Sequence, residues 1–158
     1  MFSITQRVGV ALAVACTVVG ISAASAMAID NRNVVIASLN SSEYVGTETF
    51  GYTGTCVGGP GASTGGPGSK VTYVFSLQGT ATSSDLADPA ISTAATCNVH
   101  YLGGATIKEF GRTLAGGSSA WYDTVDVDPR YRIEVCVTVG ANFFNGHNGA
   151  KSQCTVPW

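Results

Sequence analysis

Apolar and polar residues alternate with a period of two along most of the chain after its first 28 residues. In the segment 71–78, Val71, Tyr73, Phe75 and Leu77 fall on one side and Thr72, Val74, Ser76 and Gln78 on the other. That is the pattern of a strand with one buried and one wet face. In 131–139, Tyr131, Ile133, Val135, Val137 and Val139 share a side, leaving Arg132, Glu134, Cys136 and Thr138 on the opposite one. No segment after residue 28 sustains an apolar period of about 3.6. The alternation predicts strands over 34–39, 44–57, 71–78, 93–102, 106–112, 120–127, 131–139 and 151–156. The fold class expected is all-β, an antiparallel two-sheet sandwich of about 7 to 8 strands.

Turn chemistry punctuates these strands. Gly103-Gly104 and Asn145-Gly146 supply the positive φ angles of tight hairpins, and Pro129 fixes a turn between Asp128 and Arg130. Gly-Gly-Pro-Gly occurs twice within 58–69, which predicts a flexible surface loop there. A short helical turn is expected over 84–87, ended by Pro89.

The N-terminus reads differently. One positive charge in residues 1–7, an apolar run over 8–21 and Ala26-Met27-Ala28 form a secretory signal peptide with an A-x-A cleavage site. The chain then divides into a leader, 1–28, and a single secreted domain, 29–158, with no membrane insertion after cleavage. Lipidation of Cys16, or an uncleaved anchor, is the alternative for localisation. Only 11% of residues are charged and the net charge is -2, without a basic run. This sets nucleic-acid binding aside, and the apolar content of 45% argues against disorder.

Beyond Cys16 the chain keeps Cys56, Cys97, Cys136 and Cys154, an even set suited to an oxidising compartment. Their wide spacing does not suit a structural zinc site. Cys56 alternates with Phe50 and Tyr52, and Cys97 with Val99 and Tyr101, so both point toward the core and can bridge it. Cys136 lies on the outer face of its strand. It is symmetric with Cys154 about Asn145, so a three-residue hairpin loop sets the two opposite each other. The predicted pairs are Cys56 with Cys97 and Cys136 with Cys154, each contributing about 3 to 4 kcal/mol under the chain-entropy model. In that register Val156 and Trp158 share the outer face with Cys154, which suggests a bulge in the last strand.

With an inter-sheet cystine and seven or eight strands, the spacing resembles the immunoglobulin-like sandwich as an architecture. The buried Trp and corner Tyr of that family are not matched: no Trp lies between Cys56 and Cys97, and Glu134 stands two before Cys136. The Gly, Ala, Ser and Thr richness resembles small exported proteins of high-GC Gram-positive bacteria.

Catalytic inventory is thin. His100 and His147 are the two histidines, both read as ordinary surface residues, and Gly117-Ser118-Ser119-Ala120 lacks the closing Gly of a nucleophile elbow. Glu109 and Glu134 are candidate paired carboxylates that nothing in the sequence brings together. Asp126 and Asp128 are weak calcium candidates, with Asp123 pointing the other way on a regular strand. Trp121, Tyr122 and Trp158 are the best candidate binding surface, because they join apolar area to a polar handle. Adjacent on a strand, Trp121 and Tyr122 should face opposite ways, and Arg132 is placed to stack on Trp158.

The reading these features favour is a non-enzymatic secreted β-sandwich. It binds an extracellular protein or glycan, or has a structural role, at the cell surface or in the medium, and needs no cofactor. The alternatives are a secreted enzyme inhibitor presenting the segment 111–120 as a loop and a small secreted hydrolase. An outer-membrane barrel subunit is disfavoured by the even spread of Thr and Ser.

Overall fold

The computed structural model describes residues 34–60, 70–128 and 130–155. The leader 1–28, Cys16, Val156 and Trp158 lie outside these residues. Eight strands follow in order: β1 (Val35–Val45), β2 (Glu48–Pro60), β3 (Val71–Ser83), β4 (Ala90–Tyr101), β5 (Thr106–Ala115), β6 (Ser118–Val127), β7 (Ile133–Phe143) and β8 (Asn148–Thr155). They form two four-stranded sheets, β1-β2-β3-β6 and β5-β4-β7-β8, and every paired neighbour is antiparallel. Among the described residues there is no helix, and so none long and apolar enough to cross a membrane.

The period-two pattern is the cause of the layers. Phe50, Tyr52 and Cys56 of β2, Phe75 and Leu77 of β3, Ala95, Cys97 and Val99 of β4, and Val135, Val137 and Val139 of β7 are buried between the sheets. Each fully buried Phe, Leu or Val contributes about 1.5–3 kcal/mol. The sheets approach closely because Gly54 and Gly79, partners in the β2–β3 register, lie beneath Val139. A Cβ on Gly79 would stand 2.7 Å from that of Ala95, closer than two carbons pack. Cys56 and Cys97 are disulfide-bonded across this interior with Cα atoms 6.0 Å apart. Cys136 and Cys154 are bonded on the outer face, opposite each other in the β7–β8 register with Cα atoms 4.0 Å apart. Two disulfides fit an oxidising compartment.

Several expectations change. The first strand does not stop at Leu39: Ser41 and Glu43 continue its inward positions, and the chain turns at Gly46 (φ 64°), so Tyr44 belongs to β1 and pairs with Thr49. Residues 58–60 are not part of a flexible loop but the end of β2. The Phe75 ring lies flat against Gly58, where a Cβ would come within 2.3 Å of Cε1, so glycine here admits the ring rather than loosening the chain. Residues 61–69 lie outside the description. At 84–87 there is a turn instead of a helical segment, closed by the Asp88 N–H donating to the Asp85 carbonyl at 3.1 Å. The segment 111–120 is not a loop either. The end of β5 and the start of β6 fill it, and the chain crosses from one sheet to the other at Gly116-Gly117, with Gly116 at φ 88°.

The last hairpin has the three-residue loop 144–146. Phe143 N–H donates to the His147 carbonyl at 2.8 Å, Gly146 N–H to the Phe143 carbonyl at 2.9 Å, and Gly146 takes φ 86°. Pairing then runs without a bulge from Asn142 opposite Asn148 to Val135 opposite Thr155. The register shifts of this sheet lie in β4 instead, between Val99 and His100 and between Ala90 and Ser92.

Candidate functional site

Among the described residues β6 pairs only with β3 and is the edge of its sheet, which decides the fate of its two aromatics. Trp121 has the inward parity of Ser119 and Val125, but at the edge there is little of the opposite sheet to cover it, and it remains 39% exposed. Tyr122, on the outer face opposite Ser76, is 75% exposed. By parity the two side chains take opposite sides of the strand, as expected, yet both rings are exposed. The rings lie 6.1 Å apart at an interplanar angle of 23°. Arg112, from β5, holds its guanidinium 4.9 Å over the Trp121 ring, a cation–π contact that fixes the indole's orientation. The outer face of β1, β2 and β3, the face to which Tyr122 also points, carries a shallow depression of about 300 Å³. Ser38, Asn40, Thr53, Thr55, Gln78 and Thr80 line it, and none of its lining residues is charged.

The histidines are not ordinary surface residues. His147 lies against Phe50, ring centroids 4.2 Å apart, and its Nε2 donates to Glu43 Oε1 at 2.7 Å. Glu43 also accepts from Lys151 Nζ at 2.6 Å and from the Tyr52 hydroxyl at 2.8 Å. Those donors, Lys151 foremost, hold the Glu43 carboxyl down at about 2, against the opposing pull of desolvation. Burial, and then the Glu43 carboxylate, raises the Tyr52 phenol. No short-range signal marks this cluster, because Glu43 and His147 lie 104 residues apart.

His100 sits on the outer face of the other sheet, one step of a chain of contacts across three strands. Its Nε2 meets Glu134 Oε2 at 2.5 Å and its Nδ1 meets Asn98 Oδ1 at 3.3 Å, while Asn98 Nδ2 donates to Glu109 Oε2 at 3.0 Å. Glu109 and Glu134 are thus brought to one face, joined through Asn98 and His100. Cys136 follows Glu134 by two residues, and the donor atoms of His100, Glu134 and Cys136 all lie within 4.8 Å of one another.

The remaining candidates have local partners. Ser119 is buried and donates to the Arg112 carbonyl at 2.8 Å. Asp126 accepts from Thr72 at 2.7 Å, and Asp128 pairs with Arg130 at 2.6 Å, which holds its carboxyl at about 2. Asp123 pairs across the sheets with Lys108 at 2.7 Å, which lowers its carboxyl. A group unmarked in the sequence, Glu48, Asp85 and Asp88, has carboxylate oxygens within 4.8 Å of one another. Burial first, then the charges of Asp88 and Asp85, raises Glu48.

No protein-family model and no curated protein matches this chain.

Proposed function

We propose that this chain is a non-enzymatic, exported β-sandwich, immunoglobulin-like in layer architecture, that binds an extracellular neutral glycan at the surface formed by Trp121 and Tyr122. The likeness lies in the two sheets and the cystine between them; the strand order, with β1, β2 and β3 consecutive in one sheet, is its own. Adjacent exposure of the two stacked rings carries the reading. Aromatic faces offer large contact area at little conformational cost. The depression on the face to which Tyr122 points supports a sugar ligand over a charged one, because hydroxyl and amide groups there match sugar hydroxyls without an ion to desolvate. A structural role at the cell surface would leave the same rings covered by neighbouring proteins, and an uncharged protein surface is the other ligand class.

The test uses protein collected from the medium of producing cells. Its intact mass should begin at Ile29. It is then applied to an array of neutral and acidic glycans and to immobilised surface proteins. Saturable binding to a neutral glycan, weakened at least about 30-fold in Trp121→Ala and Tyr122→Ala, as for an interface hot spot, supports the reading. Capture by protein alone, or binding unchanged in both variants, removes it.

A further inference from the structure

The outer face of the β5-β4-β7-β8 sheet assembles a set of groups different from the aromatic pair. Cys136 and Cys154 face each other across β7 and β8; Glu134 precedes Cys136 on the same face, and His100 is opposite Glu134 in the β4–β7 register. While the cystine is intact, its sulfurs are weak ligands. Cleaving it would leave two thiolates beside an imidazole and a carboxylate, held by a continuous ladder of three strands.

We propose that this face is a reduction-gated site for a thiophilic divalent cation of the zinc type, ligated by Cys136, Cys154, His100 and Glu134. Two observations point to it. The His100, Glu134 and Cys136 donor atoms already converge within 4.8 Å. Bond lengths of about 2.0–2.3 Å in a tetrahedral zinc site put neighbouring donors about 3.5 Å apart. Loading the site requires side-chain rotation, opening of the His100–Glu134 contact, and the Cys154 sulfur, bonded to Cys136 until reduction, to turn toward the other three donors. The second observation is the support behind the imidazole. Metal-bound histidines hold their other ring nitrogen on an oxygen acceptor, which fixes tautomer and orientation. His100 Nδ1 faces Asn98 Oδ1, and Asn98 is itself oriented by the bond from its amide to Glu109. The wide sequence spacing that argues against a structural zinc site does not apply here, because the sheet register, not a short chain motif, brings the four residues together.

Gating follows from accessibility. Cys154 is exposed, whereas Cys56 and Cys97 are both fully buried. A thiolate of a dithiol reductant attacks Cys154 Sγ; the S–S bond breaks and its electron pair leaves on Cys136. The second thiol of the reductant then displaces Cys154 from the mixed disulfide. The reductant departs as a cyclic disulfide, having given two electrons, and its two protons pass to the cysteines or to solvent. Binding of the divalent ion releases the protons that the two thiols hold.

The test starts from the folded, fully oxidised protein and uses a phosphine reductant, which leaves no thiol to compete for metal. Two free thiols should appear, assigned to Cys136 and Cys154 by alkylation and peptide mass. Cobalt(II), the spectroscopic stand-in for zinc, should then bind one equivalent with a thiolate-to-metal charge-transfer band and tetrahedral d–d bands. The oxidised protein should show neither band. His100→Ala and Glu134→Gln should each weaken binding by more than about 10-fold, and Asn98→Ala by about 10-fold, the usual cost of losing an outer-shell partner. The His100→Ala and Glu134→Gln variants remain oxidisable, so their intact cystine reports that they folded. The proposal fails if cobalt binds the oxidised form equally well. It fails if affinity is unchanged in His100→Ala and Glu134→Gln, or if reduction opens Cys56–Cys97 first or unfolds the domain. A Cys136→Ser/Cys154→Ser protein that still binds cobalt as tightly also overturns it.

Discussion

His147 Nε2 donates a hydrogen bond of 2.7 Å to Glu43 Oε1 across the gap between the two sheets. Glu43 sits on β1 and His147 immediately before β8, at the edges of different sheets, and Lys151 of β8 meets the same carboxylate. The opposite open side is closed in kind: Lys108 of β5 pairs with Asp123 of β6, and Arg112 covers Trp121. In both places a charged side chain takes an inward position on an edge strand, where a sandwich runs out of core and an unpaired backbone would invite another chain. Edge charges here close the fold and discourage edge-to-edge pairing together.

Acid should open the Glu43 side. A carboxyl whose folded value is about 2 against an ordinary 4.5 contributes stability that is complete above its unfolded value and is lost as pH falls through its folded one. Urea denaturation should show that contribution declining between pH 4.5 and 2. Glu43→Gln should reduce the decline and cost about 1–3 kcal/mol at neutral pH, because His147 and Lys151 lose their charged acceptor. An unaltered pH profile in that variant would show that the cluster is not the acid-labile element.

The close approach of the sheets at Gly54 and Gly79 should be intolerant of a single methyl group. Gly79→Ala would press its Cβ to 2.7 Å from Ala95 and 3.0 Å from Val139, and overpacking of this kind costs about 1–3 kcal/mol. Gly59→Ala is the matched control, since a Cβ there meets nothing within 4 Å, and its effect should stay within about 0.5 kcal/mol. Equal destabilisation of the two would assign the effect to strand glycines in general.

What was legible in the chain was whatever depends on near neighbours. Alternation marks the buried faces of β3 and β7, and the centre of symmetry at Asn145 marks the β7–β8 register, because both are local. The end of β1 carries no such mark: its inward residues after Leu39 are Ser41 and Glu43, polar side chains that belong to a sandwich edge and not to a core. Gly58 resembled loop chemistry because a glycine that admits a ring and a glycine that loosens a chain look the same in sequence. Alternation gives Trp121 its inward direction but not its burial, which depends on whether another sheet lies that way. The Glu43–His147 cluster and the Glu48, Asp85 and Asp88 group join residues from distant parts of the chain, so no spacing along it announces them.

The two disulfides should differ in what they contribute. Cys56–Cys97 closes the longer loop, a separation of 41 residues against 18, for which chain entropy gives about 4 against about 3 kcal/mol. The inner pair is also fully buried, so Cys56→Ala/Cys97→Ala adds the loss of packed sulfur atoms. Denaturant titration of the two double variants should rank the inner removal as the costlier. The reverse order would mean that the outer bond holds β8 in place beyond its effect on the unfolded chain.

Glu48 should behave opposite to Glu43. Its carboxyl is raised by burial and by the charges of Asp88 and Asp85. A raised acid binds its proton more tightly in the folded state, so folding is favoured at low pH and this contribution is lost as pH rises through the raised value. At neutral pH the three carboxylates repel, and Glu48→Gln removes one charge while keeping an oxygen to accept the bond from Asn145 Nδ2, now 2.8 Å long. The variant should melt at a higher temperature than the parent at pH 7 and at the same temperature near pH 3, where Glu48 is protonated in both states. Because Asp85 is exposed and Glu48 and Asp88 only half-buried, about 1 M salt should shrink the difference at pH 7 by screening it. A gain that persists in acid or in salt would instead reflect better packing of the amide.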